Sequence, residues 1–290
     1  MNPSALEPAV TFVELTEPTV EATPVMVEVP HSGLQIPPEI DAELDASPLS
    51  ALRDSDIYVD KLYADVPGVG ATLLVARCSR YVVDLNRGPD DVDSAAVPRH
   101  PKARQIPARG VVWRASTDGK PLLRAPLTVD QFNQRIERYY QPYHRALRDV
   151  SSEIRERHGH VIVVAAHSMP SHGRRMLGGK SVRRPDIVPG TRGRSTADGR
   201  IIDLIDTHFR EAGLSVKHDV PYRGGWTTGH YGAPKQGRHV VQIELNRALY
   251  VDEQTSEIKK TEFAQLKALL EELVAKLGQV KLNSTQFATG

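Results

Sequence analysis

The sequence predicts a three-layer α/β domain built on a mixed, mostly parallel sheet, and three observations carry that reading. Runs with strand and helix periodicity alternate along most of the 290 residues, the pattern of helices laid on both faces of a sheet. The run His160–Ala166 contains almost no polar residue, as expected of a strand covered on both sides. Two strand-like runs, "VMVEVPHSG" (25–33) and "VVAAHSMPS" (163–171), each stop at a histidine followed by serine.

Taken in order, residues 1–24 read as an extended lead-in, 25–278 as one catalytic domain and 279–290 as a frayed tail. Val25–Val29 is a strand. Asp54–Val66 is a helix with Ile57, Val59, Leu62 and Tyr63 on its apolar side. Ala71–Ala76 and Tyr81–Leu85 are rich in β formers. The polar, proline-bearing stretch 88–126 reads as an excursion outside the core, long enough to suggest a functional loop. Thr128 caps a long helix reaching His158, where Pro142 predicts a kink or a break. A helix over Ala197–Ala212 stops at Gly213, and strands follow near Ser215–Val220 and at His239–Leu245. A last helix spans about Gln254–Leu277 and ends at Gly278.

Bulk properties exclude several classes. The chain is 40% hydrophobic and 25% charged with a net charge of +1, which gives no electrostatic argument for nucleic acid or an anionic membrane. One cysteine, Cys78, excludes an internal disulfide framework and a thiolate cluster, and its apolar surroundings mark it as a core residue. The first 24 residues carry Glu7, Glu14, Glu17, Glu21 and four prolines, the opposite of a basic, apolar signal. The expectation is a soluble, cytoplasmic protein.

In open α/β sheets, ligands sit beyond the carboxyl ends of the strands. Here three strands end in reactive groups: His31, His167, and Glu244 in "VVQIELNR". Ile243 and Leu245 flank Glu244, so its carboxylate is partly desolvated and its pKa raised, as a general base requires. Two imidazoles, a carboxylate and an open position describe a catalytic zinc site.

Six blocks add a resemblance. "VPHSGLQIP", "DSDIYVDKLY", "SRYVVDLNRGPDD", "AAHSMPS", "YRGGWTTGHYGAP" and "QIELNRALY", in this order over roughly residues 25–252, resemble the N-formylglutamate amidohydrolase (deformylase) family. The resemblance implies a fold like that of zinc carboxypeptidases and aspartoacylase-type deacylases (phosphorylase/hydrolase-like). It implies one zinc ion and hydrolysis of N-formyl-L-glutamate to formate and glutamate, late in histidine degradation. It assigns His31 and His167 as metal ligands. Zinc carboxypeptidases have a Glu three residues after the first His, where this chain has Leu34. Asp56 is the substitute, with Asp54 and Asp60 as competitors. Asn86 and Arg87 resemble the pair that holds a substrate carboxylate, and a guanidinium fork suits that task. Arg80 or Arg192 is the second anchor expected for a dicarboxylate, and His230 is a candidate for lining the pocket or bonding the transition state.

The expected partner is therefore a small N-acyl amino acid, with no nucleic acid and no membrane. Two alternatives stay open: a related deacylase or amidase acting on another N-acyl amino acid or a peptide end, and a non-catalytic binding module.

Overall fold

The computed structural model describes residues 12–173 and 181–282. Its strands are β1 (Val13–Thr16), β2 (Val25–Val29), β3 (Thr72–Ala76), β4 (Val161–Met169), β5 (Ile187–Gly190) and β6 (Arg238–Asn246). Its α-helices begin with α1 (Pro38–Asp41), α2 (Pro48–Asp54), α3 (Val59–Leu62) and α4 (Val129–Arg135). They continue with α5 (Gln141–His158), α6 (Gly199–Glu211), α7 (Trp226–Tyr231) and α8 (Lys260–Gly278). One six-stranded sheet runs in the order β1-β3-β2-β4-β6-β5. The four inner strands are mutually parallel, while β1 and β5 are antiparallel edges. The mixed, mostly parallel sheet is thus as expected.

Side-chain alternation divides the core into two layers. On one face Val27, Val164, Ala166 and Ile243 pack with Ile201, Ile205 and Phe209 of α6 and with Leu270 and Leu273 of α8. On the other, Met26, Leu74, Val163 and Ala165 pack with Tyr143, Leu147 and Ile154 of α5. All nine residues of β4 are buried, so its unbroken apolar run follows from double coverage. Cys78 lies in the second layer and burial pushes its thiol up to about 12, which fits a core residue.

Several elements depart from expectation, each for a physical reason. The helix over Asp54–Val66 is broken: α2 ends at Asp54, and α3 starts only after Tyr58, which takes a left-handed φ of 62°. The interruption is what places Asp56 in a turn. Tyr81–Leu85 is a run of turns rather than a strand. Residues 215–220 contribute a single bridge, Ile187 to Val216. The missed edge strand β5 contains Pro189 and Gly190 and so reads as a loop; Pro is tolerated there because an edge strand leaves a ladder donor unused. Val13–Thr16 of the expected lead-in joins the sheet as β1. Pro142 does not end the long helix, since the π-turn Ile136–Tyr140 lies just before it and the proline falls in the first turn of α5. The last helix starts at Lys260, not near Gln254. The stretch 88–126 is no mere excursion: Val92, Val97, Val111, Val112, Trp113 and Leu122 are buried in the α5-side core. The expected tail lies outside the described residues from position 283 onward.

Candidate active site

The register of β4 and β6 pairs His167 directly with Glu244. Side chains at paired positions of parallel strands point to the same face, so imidazole and carboxylate emerge together at the carboxyl end of the sheet. His31 lies just beyond β2, and its carbonyl accepts the Asp56 backbone N–H at 2.9 Å. That bond brings the turn between α2 and α3 against the strand end.

His31, Asp56 and His167 are all buried, and each offers a ligand atom within 4.8 Å of the others. Asp56 Oδ2 lies 3.0 Å from His167 Nδ1 and 3.5 Å from His31 Nδ1. Ligands of a tetrahedral zinc stand roughly 3.3 Å apart, given bond lengths of about 2.0–2.1 Å. Among the described residues His31 Nδ1 is buried with no hydrogen-bond partner, an orphan that an ion would satisfy. The nitrogen that must point away from the ion is already engaged, since His31 Nε2 meets Asp84 Oδ1 at 2.9 Å. The donor set therefore fits a divalent ion such as zinc. Burial would raise the Asp56 carboxyl, but the hydrogen bond to His167 and the nearby His31 imidazole carry it below the usual carboxylate range.

Around these three groups lies a second ring of contacts. Asp84 is fully buried and accepts four bonds: from His31 Nε2 and Asn86 N–H on Oδ1, and from Arg80 Nη2 (2.7 Å) and Trp113 Nε1 (2.8 Å) on Oδ2. Burial alone would raise its pKa; Arg80 and His31 hold it well below the ordinary value. A carboxylate behind a histidine in this way fixes its tautomer and ring orientation, as it would for a metal-ligating histidine. Asp56 Oδ1 is steadied at 3.4 Å by Arg247 Nη2 and by Ser168 Oγ. Arg247 also bonds Ser168 Oγ and the carbonyls of Arg53 and Ser55, which ties the metal-side turn to β6.

Glu244 fits the role of a base. Burial, opposed by His167 and reinforced by Asp56, pushes its carboxyl up to about 7. Gln242 Nε2 donates to Glu244 Oε1 at 2.8 Å.

One cavity of about 1390 Å³ brings together His31, Asp56, Arg80, Asn86, Arg87, His167 and Glu244. The competitors for third ligand are engaged elsewhere. Asp54 accepts from Tyr81 Oη, Thr117 N–H and Thr117 Oγ1, and Asp60 pairs with Arg77 at 2.7 Å. Two expected site residues do not line this cavity. Arg192 is exposed and donates to the carbonyls of Gly224 and Gly225 at 3.3 Å, bracing that loop from outside. His230 is exposed and stacks on Trp226 with centroids 4.2 Å apart. Asn86 lies at the cavity wall with its amide occupied by internal contacts, so a direct hold on a substrate carboxylate is not what its geometry offers. Arg80 is bound to Asp84 and lies over the Trp113 ring at 4.4 Å.

Sequence reasoning passed over Asp84, Arg247, Ser168, Gln242 and Trp113. All but Trp113 sit inside or beside the six motif blocks, so position within a motif was an available signal. Trp113 had none, because only the fold brings residue 113 to residue 84.

Residues 23–251 match the family model described as N-formylglutamate amidohydrolase, and the chain belongs to that family. It is 32% identical to a Pseudomonas aeruginosa protein named N-formylglutamate deformylase, over 87% of this chain and 93% of that one. A Pseudomonas putida protein of the same name is 30% identical over 87% and 92%. The crystal structure of N-formylglutamate amidohydrolase from Ralstonia eutropha JMP134 superposes with a TM-score of 0.84 at 32% identity, covering 92% of this chain and 97% of that one. A second solved structure, a gene product of Agrobacterium tumefaciens, shares the fold with a TM-score of 0.65 at 23% identity. Among the described residues no helix is long and apolar enough to cross a membrane.

Proposed function

We propose that this chain hydrolyses N-formyl-L-glutamate to formate and L-glutamate, using one zinc ion per chain. On this reading it acts in the cytoplasm, late in histidine degradation, and needs no partner beyond its small N-acyl amino acid substrate. The observation that carries the reading is the buried His31–Asp56–His167 group with Glu244 in register beside His167. The names of its relatives supply the substrate.

His31, Asp56 and His167 would hold the ion, which when bound would supply Lewis-acid polarisation of the formyl carbonyl and a water of lowered pKa. Glu244 takes a proton from the attacking water and delivers it to the leaving nitrogen. Burial raises the Glu244 carboxyl above its ordinary value, the direction a base that must later release its proton requires. Arg87 holds a substrate carboxylate, so the formyl carbon is presented rather than encountered. Asp84 and Arg247 keep His31 and Asp56 in place throughout.

The test is metal content of the purified protein, paired with formate release from N-formyl-L-glutamate before and after chelation. About one zinc per chain, with activity lost to chelator and restored by metal, is the expected result. Zinc without formate release overturns the substrate; no zinc after reconstitution overturns the mechanism. One observation favours a second reading, a deacylase for a larger N-acyl amino acid. The cavity, at about 1390 Å³, exceeds the roughly 300–1,000 Å³ of ordinary small-ligand sites. Side-by-side assays with longer N-acyl glutamates separate the two.

A further inference from the structure

Gln242 is buried on β6 two positions before Glu244, on the same face of the sheet. Its side chain makes three bonds. Nε2 donates to Glu244 Oε1 at 2.8 Å, while Oε1 accepts the Gly225 N–H at 2.9 Å and Asn86 Nδ2 at 3.1 Å. Asn86 Oδ1 in turn accepts the Thr227 N–H at 3.0 Å, and Nδ2 lies 3.2 Å from His167 Nε2.

The orientation of both amides follows from groups that cannot be reversed. A backbone N–H only donates, so Gly225 fixes Gln242 Oε1 and Thr227 fixes Asn86 Oδ1. Gln242 Nε2 is then obliged to face Glu244, and Asn86 Nδ2 to face Gln242. The glycine at 225 belongs to the same device. A Cβ there would fall 2.4 Å from the Asn86 amide, so only glycine lets the loop sit on it.

We propose that Gln242 is the positioning residue of the base. Braced by the 224–227 loop and by Asn86, it holds the Glu244 carboxylate beside the metal ligand His167. The inference rests on the proposed hydrolysis, and it goes beyond the resemblance, which gives Asn86 to the substrate. Here Asn86 acts behind the site, through Gln242.

Two variants test it, Gln242→Met and Gln242→Glu, each read out in two ways. The first is kcat and KM on N-formyl-L-glutamate at about pH 8 with zinc loaded. The second is hydrogen exchange of the 223–228 segment in metal-free protein. Gln242→Met loses both sides of the bracket. Exchange at Gly225 accelerates, and kcat falls roughly 10- to 100-fold with KM within about threefold, part of the 10²–10⁴ that a placed base contributes. Gln242→Glu keeps an acceptor for Gly225 and Asn86 but sets a second carboxyl against Glu244. The loop stays protected and kcat stays low, a split that loop support alone does not produce.

The proposal is overturned if Gln242→Met keeps kcat within twofold of wild type. It is also overturned if the loss appears in KM, or if Gln242→Glu recovers full kcat once the loop is protected. Wild-type protein that releases no formate overturns the hydrolysis reading instead. Exchange then decides the bracket, and unchanged rates at Gly225 in Gln242→Met overturn it.

Discussion

Asp84→Asn is the most informative single change outside the metal ligands. The wild-type carboxylate takes two bonds on each oxygen, from His31 and Asn86 on one side and from Arg80 and Trp113 on the other. An Asn amide turns an NH₂ toward one of these pairs whichever way it faces, so two bonds are lost and two donors confront a donor. The charge is lost as well, which leaves the half-buried Arg80 without its counter-ion. Removing one partner of a buried pair costs about 3–5 kcal/mol, and about 1 kcal/mol moves Tm by roughly 2–4 °C for chains of this size class. The metal-free protein should therefore melt roughly 6–20 °C lower. Loss of the carboxylate behind a ligating histidine weakens metal binding about 10- to 100-fold, or about 1.4–2.7 kcal/mol. Competition with a chromogenic chelator measures the second effect and thermal unfolding the first. Trp113→Phe removes only one neutral donor and should shift both in the same direction by a fraction of this. An Asp84→Asn protein that binds zinc like wild type and melts within about 1 °C of it would falsify the carboxylate–histidine reading of this site.

Glu244→Gln should retain its zinc and lose roughly 10²–10⁴ in kcat; retained activity would remove Glu244 from the mechanism. Arg87→Ala should raise KM for N-formyl-L-glutamate at least about tenfold, because a charge-assisted bond is worth about 1.5–3 kcal/mol. Arg192→Ala, whose guanidinium lies outside the cavity, should change KM less than about threefold; a reversed order would refute the placement of the two arginines. Burial pushes His144 down to about 3, and burial with His160 nearby pushes His239 down to about 4. Folded pKa values below the unfolded value of about 6.5 mean that the unfolded chain binds more protons, so stability is full above about pH 6.5 and declines toward pH 4. A Tm that stays flat from pH 7 to pH 4.5, or a His239→Gln variant with an undiminished slope, contradicts this. Asp84, with its pKa depressed, contributes stability that is lost only lower, as pH falls below about 3.9.

Fold class was legible because burial writes itself into composition: β4 is apolar along nearly its whole length, and α6 and α8 show their stripes. His31, His167 and Glu244 were legible because each ends a strand on a polar residue after an apolar run. Asp56 was not separable from Asp54 by pattern, since two positions in one helix-like segment look alike. The choice lies in partners 27 and 63 residues away, Tyr81 and Thr117, which occupy Asp54. Arg192 misled for a related reason. An arginine near a glycine-rich motif reads as a ligand hold, but its reach depends on the backbone, and here φ of 50° at residue 192 turns it onto the outer side of the loop. The strand β5 was hidden by its own Pro189, a residue that only an edge position tolerates.

Charge placement in the cavity bears on what it accepts. Several arginines line it, but Arg53 pairs with Asp118, Arg80 with Asp84 and Arg247 with Asp56. Arg87, Arg184 and Arg223 also line the cavity, and no described carboxylate lies within ion-pair distance of them. Among the described residues the Arg87 guanidinium bonds only the carbonyls of Arg109 and Asn86, while Arg184 bonds the Pro170 carbonyl and lies 5.2 Å over the Tyr222 ring. A neutral substrate would leave these cations uncompensated around a partly closed cleft. On the proposed reading, a substrate with two carboxylates would meet Arg87 with one and the Arg184–Arg223 side with the other, a guanidinium being suited to grip each in a fork. The second anchor expected at Arg80 or Arg192 is thus better placed on the Arg184–Arg223 side, since Arg80 pairs with Asp84 and Arg192 lies outside the cavity. On the proposed reading, the same charge count argues against an N-acyl amino acid with a neutral side chain, whatever the length of its acyl group.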